Sequence, residues 1–243
     1  MRFNLFVLIL LFASSCAPIY VPSTRNVPMF RGAGEFQGSA YLTTGIAVQG
    51  AYALTDNLGI MGSYSFLSEN AKDPQNTSEN YTRKNSHIEG GLGYFNATRS
   101  RRLELYVGYG QGQSTTNGQY SFFFPTFGQQ ELIVTGNFRR YFIQPSIGTN
   151  NRGFNLAFTP RFSLVDFYEF TSGVVTEKPG EQLQLYIEPA GTAKFRLGEH
   201  LDGIFQLGLN IPIPNDSFFD YVPVQAAIGI QLHLGGSLRT RVY

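Results

Sequence analysis

The sequence predicts an all-β fold, a single small antiparallel up-and-down transmembrane β-barrel of about ten strands. Three observations carry that reading. Beyond residue 34 the chain alternates large apolar residues with small or polar ones at a period of two, with no helical period. The charges of those segments gather on one face. The connections alternate between short and long in step with the strands.

Composition sets the frame. Hydrophobic residues make up 42% of the 243 and charged residues only 14%, against about a quarter charged in a typical soluble domain. Glycine (27) and aromatics (15%) are abundant, and tryptophan is absent. A net charge of +1 argues against nucleic acid or any strongly charged partner. A soluble, aromatic-rich β-protein shares this composition, so the pattern must decide.

The N-terminus comes first. Met1 and Arg2 precede an apolar run, Leu5 to Phe12. That run is too short to span a bilayer, which takes about 20 residues, and it fits the apolar part of a secretory signal. Ala13-Ser14-Ser15-Cys16 follows. It resembles a bacterial lipobox, in which small residues precede a cysteine that is acylated and becomes the mature N-terminus. Ala13 stands where leucine is usual. Cys16 is the only cysteine, so no internal disulfide is available, and its placement supports acylation. An ordinary signal cleaved after Ala13 or Ser15, leaving a free thiol, is the alternative. On the acyl reading, 1–15 is a lipoprotein signal peptide and Cys16 carries palmitate and diacylglycerol. Residues 16–33, with Pro18, Pro22 and Pro28, form an extended, semi-rigid linker.

Ten alternating segments occupy 34–234: roughly 35–43, 46–54, 58–67, 86–97, 102–112, 131–147, 153–167, 182–197, 203–212 and 222–234. Most approach the nine to eleven residues of a tilted membrane strand. In the second, Ile46, Val48, Tyr52 and Leu54 share a face. In the third, Leu58, Ile60, Tyr64 and Phe66 do. The seventh is clearest, with Phe154, Leu156, Phe158, Phe162 and Leu164 opposite Asn155, Thr159, Arg161 and Ser163. In the tenth, Ile228, Ile230, Leu232 and Leu234 oppose Gln225, Gln231 and His233. With both chain ends taken as periplasmic, the periplasmic turns (55–57, 98–101, 148–152, 198–202) are all short. The outward connections (68–85, 113–130, 172–181, 213–221) are longer, except the first at 43–45. Residues 235–243 form a basic tail.

The charged face decides the compartment. Glu89, Glu104, Arg161, Glu188, Lys194 and Arg196 share the polar side of their segments, which reads as a polar network filling a narrow lumen. The nearly uncharged opposite face then meets lipid. A soluble barrel would instead bury those charges in its core, at several kcal/mol each if unpaired. Pro145, Pro160, Pro189 and Pro223 fall inside proposed strands and are expected to mark bulges or strand ends. Near Arg139-Arg140 the phase slips, and the pattern leaves open which arginine faces inward.

The run Cys16-Ala17-Pro18-Ile19-Tyr20-Val21-Pro22, then Asn26-Val27-Pro28, Gly34-Glu35-Phe36 and Gln49 to Gly62 resembles a Bacteroidota family of outer-membrane β-barrel lipoproteins of unassigned function. The resemblance is specific over 16–66 and architectural beyond. It implies location and fold but no mechanism. No acidic run follows Cys16 of the kind that resembles a surface-export signal in such lipoproteins, so the acyl group is expected in the periplasmic leaflet.

Chemistry is sparse. An outer-membrane hydrolase would draw on rim groups such as His87, Glu89, Asp166, Glu169, Asp216 and Asp220, held within hydrogen-bond reach. Ser86 and His87 are adjacent and so point to opposite faces. Three scattered histidines (His87, His200, His233) and one cysteine give no metal-ligand spacing, and no cofactor is expected. Gly108, Gly110 and Gly112 belong to a strand and do not form a phosphate loop. A narrow pore is a second alternative. The preferred role is structural or partner-binding, with outer-membrane lipids and another outer-membrane protein as partners. Phe122, Phe123, Phe124, Phe127, Phe218, Phe219 and Tyr221 are candidate loop contacts, or else an interfacial aromatic girdle.

Overall fold

The computed structural model describes residues 19–72, 80–117, 133–172, 175–178, 183–213 and 221–235. The proposed signal peptide, Cys16, most of the basic tail, Phe122–Phe124, Phe127, Asp216, Phe218, Phe219 and Asp220 lie outside them.

Strands form wherever the alternation predicts. They are β1 (Phe36–Leu42), β2 (Ile46–Ala53), β3 (Leu58–Lys72), β4 (Asn80–Ala97), β5 (Arg101–Asn117), β6 (Ile133–Thr149), β7 (Phe154–Ser172), β8 (Val175–Glu177), β9 (Leu183–Arg196), β10 (Leu201–Leu209), β11 (Ile211–Ile213) and β12 (Val224–Leu234). Each neighbour pair is antiparallel. β1 pairs with β12, and β7 with β9, so the sheet closes into a ten-stranded barrel. β8 is a short hairpin return on β7, and β11 continues β10 past a break at Asn210. Closure leaves the membrane-spanning wall without free edges, as hydrocarbon requires.

The apolar face points outward. Ile60, Leu92, Leu105, Val107, Ile143, Leu156, Phe158, Leu207, Ile230 and Leu232 are all exposed, whereas Glu89, Glu104, Arg161, Glu188 and Lys194 are buried. That is the inverse of a water-soluble barrel, and it makes this a membrane-spanning barrel of the outer-membrane type. Exposed aromatics mark both borders. Phe36, Tyr52, Tyr94, Phe154 and Phe195 lie toward the short turns. Tyr64, Phe66 and the cross-strand pair Tyr109–Tyr141, ring centroids 5.2 Å apart, lie toward the long loops. The short-turn end is therefore periplasmic and the long-loop end external.

The external rim is uneven. β3 to β7 run 15 to 19 residues, whereas β1, β2 and β10 have seven to nine. Above Tyr109 and Tyr141 the tall wall turns polar, with Gln111, Gln113, Asn137 and Arg139 on its outer side. On the low side the apolar face continues to the edge, where exposed Leu42 and Ile46 flank the 43–45 turn.

Proline placement follows from pairing. Pro160 and Pro189 face each other across β7 and β9, and pairing of β6 with β7 lapses between Ile143 and Ile147, around Pro145. Opposite Pro189, the β9–β10 ladder stops at Ala190–Gly208 and resumes at Ile187–Ile211. Each missing proline N–H thus coincides with a gap rather than an unpaired ladder position. Pro223 precedes β12. The phase slip resolves in β7, not β6. Pairing shifts between Asn137 and Phe138, leaving Tyr168 as the extra residue. Arg140 faces the lumen, and Arg139 lies outside over the Tyr168 ring at 4.4 Å.

The lipid-facing assignment predicts a depth-dependent cost. Ile143→Arg, within the apolar band, should destabilise the barrel by about 2–4 kcal/mol, and Leu42→Arg at the rim by about 0–1. Reversible unfolding from vesicles measures both.

Candidate functional site: a lumen occupied by the N-terminal segment

The lumen is not filled by wall side chains alone. Residues 19–30 run through it, almost all of them buried. This is the first difference from the sequence reading. Residues 16–33 were expected to form a linker, but from Ile19 onward the segment is extended inside the barrel. The second difference is polarity. Gly34 meets the periplasmic end, where its N–H donates to Ala53. Ile19 and Tyr20 sit at the external mouth, among Val134, Phe138, Val165, Phe167 and Tyr186. Both chain ends were expected on the periplasmic side; the barrel's own ends, Gly34 and Leu234, do lie there, but Ile19 lies at the opposite mouth.

The physical reason is a match of hydrogen-bonding groups. An extended segment has unpaired carbonyls, and Pro22 and Pro28 reduce its N–H count. The lumen is rich in long donor side chains. Gln49 Nε2 donates to the Thr24 carbonyl at 2.8 Å, Gln206 Nε2 to Arg25 at 3.0 Å and Gln144 Nε2 to Asn26 at 2.7 Å. Lys194 Nζ donates to Val27 at 2.6 Å and Pro28 at 3.0 Å, and Arg102 Nη1 to Met29 at 2.7 Å. Six consecutive carbonyls are thereby bound by the wall. Gln225 Nε2 adds the Pro22 carbonyl at 2.9 Å. Gln206 Oε1 also accepts the Arg25 N–H at 2.9 Å, so one amide serves both backbone groups of Arg25 as a paired strand would. Glu104 Oε1 accepts the Phe30 N–H at 3.0 Å.

Arg25 uses the break opposite Pro189. Its guanidinium donates to the Leu209 carbonyl (2.9 Å), Asn210 Oδ1 (2.6 Å) and Gln225 Oε1 (2.7 Å). Asn26 Nδ2 reaches the carbonyls of Gly50 and Gly62, each at 3.1 Å. Near the periplasmic end, Phe30 packs with Phe95 and Tyr106. Gly59 makes room there, since a Cβ on it would lie 2.6 Å from the Phe30 ring and 2.9 Å from Tyr106 Oη. Met29 has φ +55°, a left-handed conformation uncommon for a side-chain-bearing residue. Its carbonyl bond to Arg102 and its burial hold it there.

A charged centre lies above this ladder. Arg140 Nη2 donates to Glu89 Oε2 and, at 2.5 Å, to Ser23 Oγ. Arg161 donates to both oxygens of Glu89 at 3.3 Å and to Gln144 Oε1 at 2.6 Å. Glu188 accepts from Ser163 Oγ at 3.0 Å and Tyr20 Oη at 3.2 Å, and lies 3.9 Å from Arg140. Two carboxylates and two guanidiniums balance in a site closed to solvent.

Of the six expected lumen residues, Glu89, Arg161 and Glu188 meet at this centre, while Glu104 and Lys194 bind the backbone of 27–30. Arg196 does not join them. It is exposed at the periplasmic mouth, 3.9 Å from Asp202, because inward alternation at a strand's last residue points into the opening rather than the interior. Residues the sequence reading missed include Tyr20, Arg25, Arg102 and Gln144. The described rim groups engage other partners. His87 is buried and stacked on Phe138, ring centroids 5.4 Å apart. Glu89 is held by two arginines, and Glu169 accepts from Asn137 at 2.8 Å. Tyr221, a candidate loop contact, is half-buried against Tyr186 with centroids 5.6 Å apart.

No protein-family model and no curated protein matches the chain. Solved structures do. The outer membrane protease OmpT from Escherichia coli aligns over 87% of this chain and 100% of that one, at 11% identity and a TM-score of 0.46. A COG4313 outer membrane channel from Pseudomonas putida F1 aligns over 86% and 100%, at 11% identity and 0.42. The translocator domain of the autotransporter NalP from Neisseria meningitidis aligns over 82% and 86%, at 10% identity and 0.41. The likeness is one of architecture, and no residue roles are carried across.

Glu89→Ala should be strongly destabilising, by about 3–5 kcal/mol, because it leaves the buried pair Arg140 and Arg161 with only Glu188 as counter-charge. Denaturant midpoints of detergent-refolded protein measure this. Glu89→Ala combined with Arg140→Ala should cost less than the sum of the two single changes.

Proposed function

We propose that this protein is a lipid-anchored outer-membrane barrel with a structural or partner-binding role, an accessory subunit rather than a solute channel or an enzyme. The observation that carries this reading is the bound ladder of carbonyls from Thr24 to Met29. A lumen whose donors are committed to the protein's own backbone has few left for a passing solute. The same holds for rim chemistry, where Glu89 is committed to Arg140 and Arg161. The working surfaces are then the outer wall and the external loops. The lipobox-like Ala13–Cys16 run supports an acyl anchor on Cys16, and the resemblance over 16–66 supports a Bacteroidota lipoprotein origin.

Three measurements test the reading. Cys16→Ser should abolish labelling by radioactive palmitate. In planar bilayers the whole chain should be silent and a variant lacking residues 19–30 should conduct; steady conductance by the whole chain would overturn the plugged-lumen role. Purification from native membranes in mild detergent should retain a defined membrane-protein partner. Changing Phe122, Phe123 and Phe124 together to Ser should release it while the barrel stays folded. Unchanged co-purification would remove those loops as the contact.

A further inference from the structure

The lumenal segment runs from the external mouth at Ile19 to the periplasmic end at Gly34. Gly34, at the periplasmic end, joins directly to β1. From there the chain, followed backwards, climbs past Phe30, Asn26 and Arg25 to Tyr20. The Tyr20 carbonyl accepts the Val222 N–H at 3.1 Å, and Tyr20 forms a parallel bridge with Tyr221, which precedes β12. Its ring points downward, with the hydroxyl between Glu188 and Arg140. The space below is taken by residues 21–33, and Phe138, Phe167 and Tyr186 pack around the ring. Ile19 therefore stands at the external mouth with the lumen beneath it filled.

The Tyr20 backbone bridges the low side of the rim, while the Ile19 side chain packs against the tall strand β6 at Val134 and Gly136. Tyr221 and Val222 belong to the β11–β12 connection, which borders the short strands β10, β12, β1 and β2. There the outer face stays apolar to the edge, at Leu42, Ile46 and Ile213, so the rim meets lipid directly. Elsewhere the wall rises above the Tyr109–Tyr141 border behind polar residues. Three residues separate Tyr20 from Cys16, and the four steps between them reach at most roughly 14 Å when extended. That is far less than the roughly 30 Å of hydrocarbon between external and periplasmic headgroups.

We infer that the acyl group on Cys16 inserts into the external leaflet of the outer membrane, so that the N-terminal segment traverses the barrel from outside to inside before β1 begins. The inference rests on Cys16 being acylated, and it replaces the periplasmic leaflet expected from sequence. The ligand is a lipid surface, and the protein would be tethered from the face opposite to an ordinary periplasmic lipoprotein.

The test keeps the two ideas separable. A short hydrophilic epitope is inserted between Ala17 and Pro18, downstream of an intact lipobox, in the whole chain expressed in its own cells. A second strain carries it in the 98–101 turn. The inference expects antibody to stain intact cells of the first strain as strongly as permeabilised ones, and the second only after permeabilisation. In case the insertion blocks folding, Ala17→Cys is labelled with a membrane-impermeant maleimide on intact cells, with Gln113→Cys as the external reference. Labelling of both from outside supports the inference. Labelling of position 17 only after permeabilisation, with position 113 reached from outside, overturns it. Mass spectrometry of the N-terminal peptide reads acylation independently. An unmodified Cys16 overturns the lipid insertion, while staining still reports which mouth the chain leaves by.

Discussion

Lipid on the outside forces the polar side chains of the membrane-spanning part of the wall inward, and a ten-stranded bore must then satisfy those groups without bulk water. Most of the interior follows from this constraint. Charges can balance one another, as Glu89 and Glu188 do with Arg140 and Arg161. The surplus of donors on Gln49, Gln144, Gln206, Lys194 and Arg102 needs acceptors of another kind. An extended backbone offers one carbonyl per residue, and prolines in it withhold competing N–H groups. The lumenal segment is thus the acceptor half of a hydrogen-bonding scheme whose donor half is distributed over the wall.

The same constraint explains the irregularities. Pro189 opens a gap in the β9–β10 ladder, and Arg25 fills it from within by binding the Leu209 carbonyl and Asn210. A strand defect and a lumenal cation offset each other although 184 residues separate them in sequence. The absent side chain at Gly59 likewise admits the Phe30 ring. Wall and insert are complementary in shape as well as in charge.

How much of this was legible in the sequence depended on whether a signal repeats. Strand order and the outward face were legible, because each strand restates the period-two pattern independently. The external connections were read too long, since β3, β4 and β5 continue through 68–72, 80–85 and 113–117, where the wall above the lipid is polar on its outer side too and the alternation fades. Arg140 was not, since Phe138 and Phe142 point inward while Tyr141 and Ile143 point outward, leaving both faces of β6 apolar. Arg196 had the right parity, but parity gives direction and not depth. The insert was hidden for a deeper reason. Residues 19–33 form an extended stretch with no period, and their partners lie up to 203 positions away. Prolines fit an exposed spacer and a threaded segment equally well, and the choice between them comes only from what the finished lumen lacks.

The connection at Gly34 gives the molecule the topology of a lasso. The threaded tail and the first strand of the ring are one continuous chain, and the ring is closed by the hydrogen bonds that join β1 to β12 from Phe36–Leu234 to Leu42–Ile228. With the acyl group proposed for Cys16 at its far end, the tail could not slide through a finished ring. On that proposal the β1–β12 seam would close around a tail already in place, making it the last door in assembly and the first to open in disassembly.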